Sequence, residues 1–191
     1  MGTTECCPSL KGSRDKSVQI AERLRRARSK VEIEMRKRQI SPTPASEPPS
    51  TSTWLDVEHK ASVEVTSEEN GYPIESALQE IENRGWRAAN SGAQTIRLIF
   101  DEAQKLSRIW LVFEDSENTR TQEFVLRWPS DSGNSFREIV RQQWNFSPPN
   151  SVREAEDYAV ELSAVTALEL IIVPDKNGGA ARASLASFRV A

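Results

Sequence analysis

Every aromatic residue of the chain lies at or beyond Trp54: five Trp, six Phe and two Tyr, and none among the first 53 residues. Large aromatic side chains dominate core energetics. Whatever packs therefore packs in the last ~140 residues, a length able to remove about two thirds of its surface from water. The boundary has a visible cause. Residues 41–53 read SPTPASEPPSTST, thirteen positions with four prolines and seven Ser or Thr, a composition that neither continues a helix nor packs and that forms a semi-extended linker. The chain thus divides into residues 1–40, a linker at 41–53 and a body at 54–191.

Ahead of the linker, Met1 to Ser17 mixes small, polar and charged residues without periodicity, and disorder is expected there. Lys16 to Ile40 places Ile20, Leu24, Ala27, Val31 and Met35 on one narrow stripe with arginines on its flanks, the pattern of an amphipathic helix. Lys11 to Ile40 holds eleven Lys or Arg against four acids, a balance of +7, whereas Ser41 to Ala191 holds fourteen bases against twenty-three acids, a balance of -9. An acidic body repels phosphate backbones, so no nucleic acid is expected on it. The basic helix has two readings: contact with protein, either this body or a second copy or another partner, and contact with an anionic membrane or nucleic acid.

The two cysteines, Cys6 and Cys7, are neighbours in the aromatic-free tail and can neither staple a core nor complete a zinc site. No apolar segment follows the N-terminus and none approaches the length of a transmembrane span, which makes the cytoplasm the expected compartment. Met1-Gly2 does not complete an acylation signal, since Cys6 stands where Ser or Thr is required.

Beyond Trp54 the texture is that of a β protein. Ala61 to Thr66 alternates apolar and polar residues. Thr95 to Phe100 puts Ile96, Leu98 and Phe100 on one face, and Leu106 to Phe113 is apolar on both, as in a central strand. Thr121 to Trp128 and Phe136 to Gln142 flank PSDSGNS, a hairpin turn. Asp157 to Ser163, Ala167 to Val173 and Ser184 to Val190 bring the expectation to about eight strands, with one short helical turn near Ile74 to Ile81. Short strands separated by turn signals favour an antiparallel sandwich or barrel over alternating βαβ units.

In that order the segments resemble the discoidin family, also called coagulation factor type C domains, which overlaps carbohydrate-binding modules with a galactose-binding-like jelly roll. VTSEENGYPIESAL is similar to the family's opening strand and Ser-Ala-Leu turn, and Gly85-Trp86-Arg87 to the tryptophan motif that follows. TIRLIFDEAQKLSRIWLVF, EFVLRWPSDSGNSFREIV and ALELIIVPDKNGGAARASLASFRVA are similar to its paired strands, its hairpin and its closing strands with their glycine loop. The resemblance runs over about residues 60–191. It implies an all-β, antiparallel jelly-roll sandwich that binds without catalysis, its ligand a glycan or another small polar molecule held by loops at one end. Many members carry a structural calcium in the loop after the Ala-Leu turn. Here that loop reads Gln79-Glu80-Ile81-Glu82, and Ser187 stands where an acidic residue is frequent. Calcium takes about six to eight oxygen ligands, and although Glu80 or Glu82 could contribute, the expectation is no bound metal or other cofactor.

Catalysis finds little support. His59, the single histidine, sits in a charged lead-in to the body and reads as a surface residue. The acidic clusters Glu68-Glu69, Glu114-Asp115 and Glu154-Glu156-Asp157 read as loop solvation, and Gly178-Gly179 lacks the spacing of a phosphate loop. For binding, Trp144 and Asn145 follow a strand outside any alternation and could present a stacking platform, or plug the sandwich end. Tyr72, Arg120 and Arg182 lie in other expected loops with ends suited to hydroxyls or carboxylates. The site expectation is therefore Tyr72, Arg120, Trp144, Asn145 and Arg182. The alternative to glycan binding is an adaptor whose sandwich is a scaffold and whose basic helix meets a protein partner.

Overall fold

A computed structural model describes residues 54–79, 84–131 and 135–191. The expected tail, amphipathic helix and linker, and the loop residues Glu80 to Glu82, lie outside the described residues.

Eight strands and one short helix make up the described body: β1 (Ala61–Val65), α1 (Ile74–Gln79), β2 (Trp86–Ser91), β3 (Gln94–Glu114), β4 (Arg120–Asp131), β5 (Ser135–Phe146), β6 (Arg153–Val173), β7 (Arg182–Leu185) and β8 (Ser187–Val190). All pairings are antiparallel, in the order β1-β3-β6-β4-β5, with β8 added to β3 and with β2 paired to β7 as a separate ribbon.

The expected strands at 95–100 and 106–113 are one continuous strand of 21 residues, and those at 157–163 and 167–173 are another. Both bend in the middle. The β3–β6 register shifts between Ile99 and Arg108, and opposite it Ala164 adopts a left-handed φ of 56°. On one side of the bend, β3 and β6 lie in a sheet with β1, β4 and β5. On the other side they pair with each other while β8 lines the far edge of β3. The two sheets face each other. The ring of Phe113, beyond the bend in β3, lies 4.9 Å from that of Phe124 in β4, and the Tyr158 hydroxyl of β6 donates to Gln142 of β5 at 2.8 Å.

The alternation in the sequence supplies the filling. Ile96, Leu98 and Phe100 bury together with Ile109, Leu111, Phe113, Leu168, Leu170 and Ile172, each fully buried aliphatic side chain worth about 1.5–3 kcal/mol of transfer free energy. On the opposite face of the first sheet, register builds an ionic row across four strands. Glu169 of β6, its side chain 2% exposed, accepts from Arg97 of β3 and Arg127 of β4, and Arg97 reaches on to Glu64 of β1 at 2.7 Å. A carboxylate this buried is tolerable because two guanidinium groups hold it.

Helix α1 begins where Pro73 fixes the chain for entry, and Glu68 accepts a hydrogen bond from the Ile74 amide at 2.8 Å. Ile74, Ala77 and Leu78 turn one face into the core. Gly85 then brings β2 against β7. Its φ is +63°, and a side chain there would meet the Leu185 carbonyl oxygen at 2.5 Å, so the Trp86↔Leu185 pairing demands glycine.

Candidate functional site

A cleft of about 360 Å³ opens where the β3–β4 loop, the start of β6, the turn ahead of α1 and the β2–β7 ribbon meet, a size in the range of ligand sites. Its walls combine Tyr72, Arg84, Trp86 and Arg87 with Glu114 to Asn118, Val152, Arg153 and the β7 residues Arg182 and Ser184.

Backbone pairing sets the first wall. The amide of Glu69 donates to the Arg87 carbonyl at 2.9 Å and that of Arg87 to the Tyr72 carbonyl at 3.3 Å, which lays the 69–72 segment beside β2. The Arg87 guanidinium rests on the Tyr72 ring, 4.4 Å from its centre. Glu69 joins the ribbon's two arginines, with Arg182 at 3.0 Å and Arg87 at a longer 3.7 Å. Trp86 is 1% exposed and its indole N–H has no hydrogen-bond partner.

Asp115 organises the opposite wall. One of its oxygens accepts from the amides of Glu117 and Asn118, both at 2.9 Å, and the other from Arg120 Nε at 2.6 Å. Burial pushes its carboxyl up, but the Arg120 guanidinium and the two amides outweigh it and hold the carboxyl below its usual range. Glu114 pairs with Arg153 at 3.2 Å, and the Ser184 hydroxyl donates to the Glu114 carbonyl at 2.7 Å, tying the ribbon to the end of β3.

Two of the five expected site residues, Tyr72 and Arg182, line this cleft together. Arg120 does not. It opens β4 with a side chain 1% exposed, donates to Asp115, Gln122 and the Pro174 carbonyl, and lies 4.7 Å from the centre of the Phe146 ring. Its place is behind the wall, holding Asp115. Trp144 and Asn145 are not in a loop, because β5 runs to Phe146. Trp144 is half-buried against the core opposite Gln122, and Asn145 accepts from the Thr121 hydroxyl at 2.7 Å. Neither lines the cleft. Three further arginines line it beside Arg182: Arg87, which stands in the Gly85-Trp86-Arg87 motif, and Arg84 and Arg153, which the sequence reading did not single out.

The acidic clusters need the same correction, since they are not loop solvation. Glu68 caps α1, Glu69 bridges two arginines, and Glu154 and Glu156 lie in β6. Glu154 is 2% exposed between the sheets, where Gln142 donates to both carboxyls. Burial first, and the neighbouring Glu156 charge second, push the Glu154 carboxyl up to about 8. His59 is exposed, 2.9 Å from Asp56.

Of the groups considered for calcium, Gln79 donates its amide to Glu58 at 2.8 Å, and Ser187 offers only a buried hydroxyl without a partner. Glu80 and Glu82 lie outside the described residues. No helix among the described residues is long and apolar enough to cross a membrane.

No protein-family model matches the chain, and no curated protein does. Solved structures do. A family 32 carbohydrate-binding module from Clostridium perfringens, in complex with GalNAc-β-1,3-galactose, superposes with a TM-score of 0.53 at 20% identity over 72% of this chain and 99% of its own. The family 32 module of NanJ from C. perfringens, in complex with galactose, gives 0.52 at 19% identity over 72% and 97%. The corresponding module of AlyQ, in complex with 4,5-unsaturated mannuronic acid, gives 0.53 at 14% identity over 73% and 98%. The likeness fixes the fold as the galactose-binding-like β-sandwich.

Proposed function

We propose that the body is a carbohydrate-binding module that holds a saccharide in the end cleft and performs no chemistry on it. The observation that carries this reading is the cleft itself: an open recess at one end of a galactose-binding-like sandwich, walled by a Tyr ring, guanidinium groups and short polar side chains suited to hydroxyls. The three structures compared above support it, each solved with a sugar in place. The groups with strongly shifted proton affinity, Glu154 and Tyr158, hydrogen-bond with Gln142 between the sheets rather than facing the cleft, which fits binding better than catalysis.

A glycan array followed by calorimetric titration of the full chain, run with calcium and again with a chelator, tests the reading. Saccharide binding is expected, with no dependence on calcium. Asn118→Ala, in the exposed wall, is expected to weaken it by about ten-fold, as for a lost polar contact, without moving the unfolding temperature. Trp144→Ala is expected to do the reverse, lowering the unfolding temperature and leaving affinity in the folded protein intact. If no saccharide binds, the reading fails.

A further inference from the structure

Arginines gather at the cleft of a body that is acidic on balance. Four arginines line it, Arg84, Arg87, Arg153 and Arg182, against Glu114, Asp115 and Glu117, while the chain from Ser41 onward carries a balance of -9. Asp115 is already neutralised from behind by Arg120, which does not reach the cleft. Glu114 is matched by Arg153. On the ribbon, one carboxylate serves two guanidinium groups: Glu69 sits 3.0 Å from Arg182 and 3.7 Å from Arg87. Both arginines keep about a third of their side-chain surface in solvent.

The aromatic rings point the same way. A neutral sugar bound by stacking needs an open ring face. In this cleft Trp86 is buried, and one face of Tyr72 is already occupied by the Arg87 guanidinium. What the ribbon wall offers instead is donors, including forked guanidinium groups that match a planar carboxylate in two parallel hydrogen bonds.

We propose that the ligand of this cleft is a sugar acid, a saccharide whose carboxylate is received by Arg182 and Arg87. The proposal rests on the saccharide reading above and narrows it. Oligogalacturonate, its methyl ester and a neutral galacto-oligosaccharide of equal length, titrated into the full chain, separate the two. The free acid is expected to bind at least about ten-fold more tightly than either uncharged form, with an affinity that falls as salt is raised. Arg182→Gln is expected to abolish that preference, so that the variant binds acid and ester alike. Should the variant unfold, the acid-against-ester comparison on the unaltered protein decides alone. Equal affinity for acid and ester overturns the proposal and leaves saccharide binding standing. Binding of none of the three overturns the proposal as well, and the glycan array then decides the saccharide reading.

Discussion

Two carboxyls placed between sheets give Glu154 and Glu156 an unusual energetic role. The Glu154 carboxyl, pushed up to about 8 by burial and by Glu156, has an unfolded value of 4.5, so folding takes up a proton between those limits. A group whose folded value is raised contributes its stability below the unfolded value and loses it as pH rises through the folded one. Stability is therefore expected to fall from pH 5 to pH 8 with a slope approaching about 1.4 kcal/mol per pH unit, and to change little from this source above pH 8. Glu154→Gln, which keeps the shape and removes the charge, is expected to flatten that dependence and to stabilise the protein at pH 8. Urea denaturation across the range measures it, and an unchanged slope in the variant would refute the assignment. The same residues explain two misreadings of the sequence. Inward positions of β5 and β6 are usually apolar, but here Gln142, Glu154, Glu156 and Tyr158 hydrogen-bond with one another across the gap. With polar residues on the inner face, the two-residue period vanished just where it was needed. The strand at Trp144 looked like a loop, and the strand at Glu154 looked like solvated charge.

At the scale of the element, the body's strands were legible wherever alternation was apolar, as at Ile96, Leu98 and Phe100, and their lengths were not. DEAQK and AVT interrupt the alternation between the expected strands, which reads as a pair of short connections. In the fold they belong to the bends of β3 and β6, largely exposed except for the buried Leu106 and Val165, where the ladder shifts register and continues. The bend in β6 is held by Ala164 at a φ of 56°, a conformation that costs an L-residue about 1–2 kcal/mol and glycine nothing. Ala164 is exposed, so no packing is lost by removing its methyl group. Ala164→Gly is expected to raise the free energy of unfolding by about 1 kcal/mol, the relieved strain exceeding the added freedom of the unfolded chain. A loss of stability in chemical denaturation would show that the bend is not strained.

For the whole molecule, the composition break at Trp54 predicts a body that stands without the residues before it. A broad-specificity protease is expected to cut the full chain within residues 41–53 and to leave a fragment, beginning near Trp54, whose unfolding temperature equals that of the uncut protein. Loss of structure on cleavage would place part of the core ahead of the linker. Fold class was readable because strand order and turn chemistry persist over the whole body. The cleft was not, because its arginines come from β2 and the residues just before it, from β7 and from the start of β6, brought together only by pairings that no local pattern encodes. Those pairings also constrain how the molecule opens. β3 and β6 each pass through both sheets, registered from Gln94↔Ile172 at one end to Glu114↔Arg153 at the other. A fluctuation that peels one sheet must pull on strands that the other still holds, so the sandwich has no independent halves to release. Its amide protons on β3 and β6 then reach solvent through a single shared opening rather than sheet by sheet.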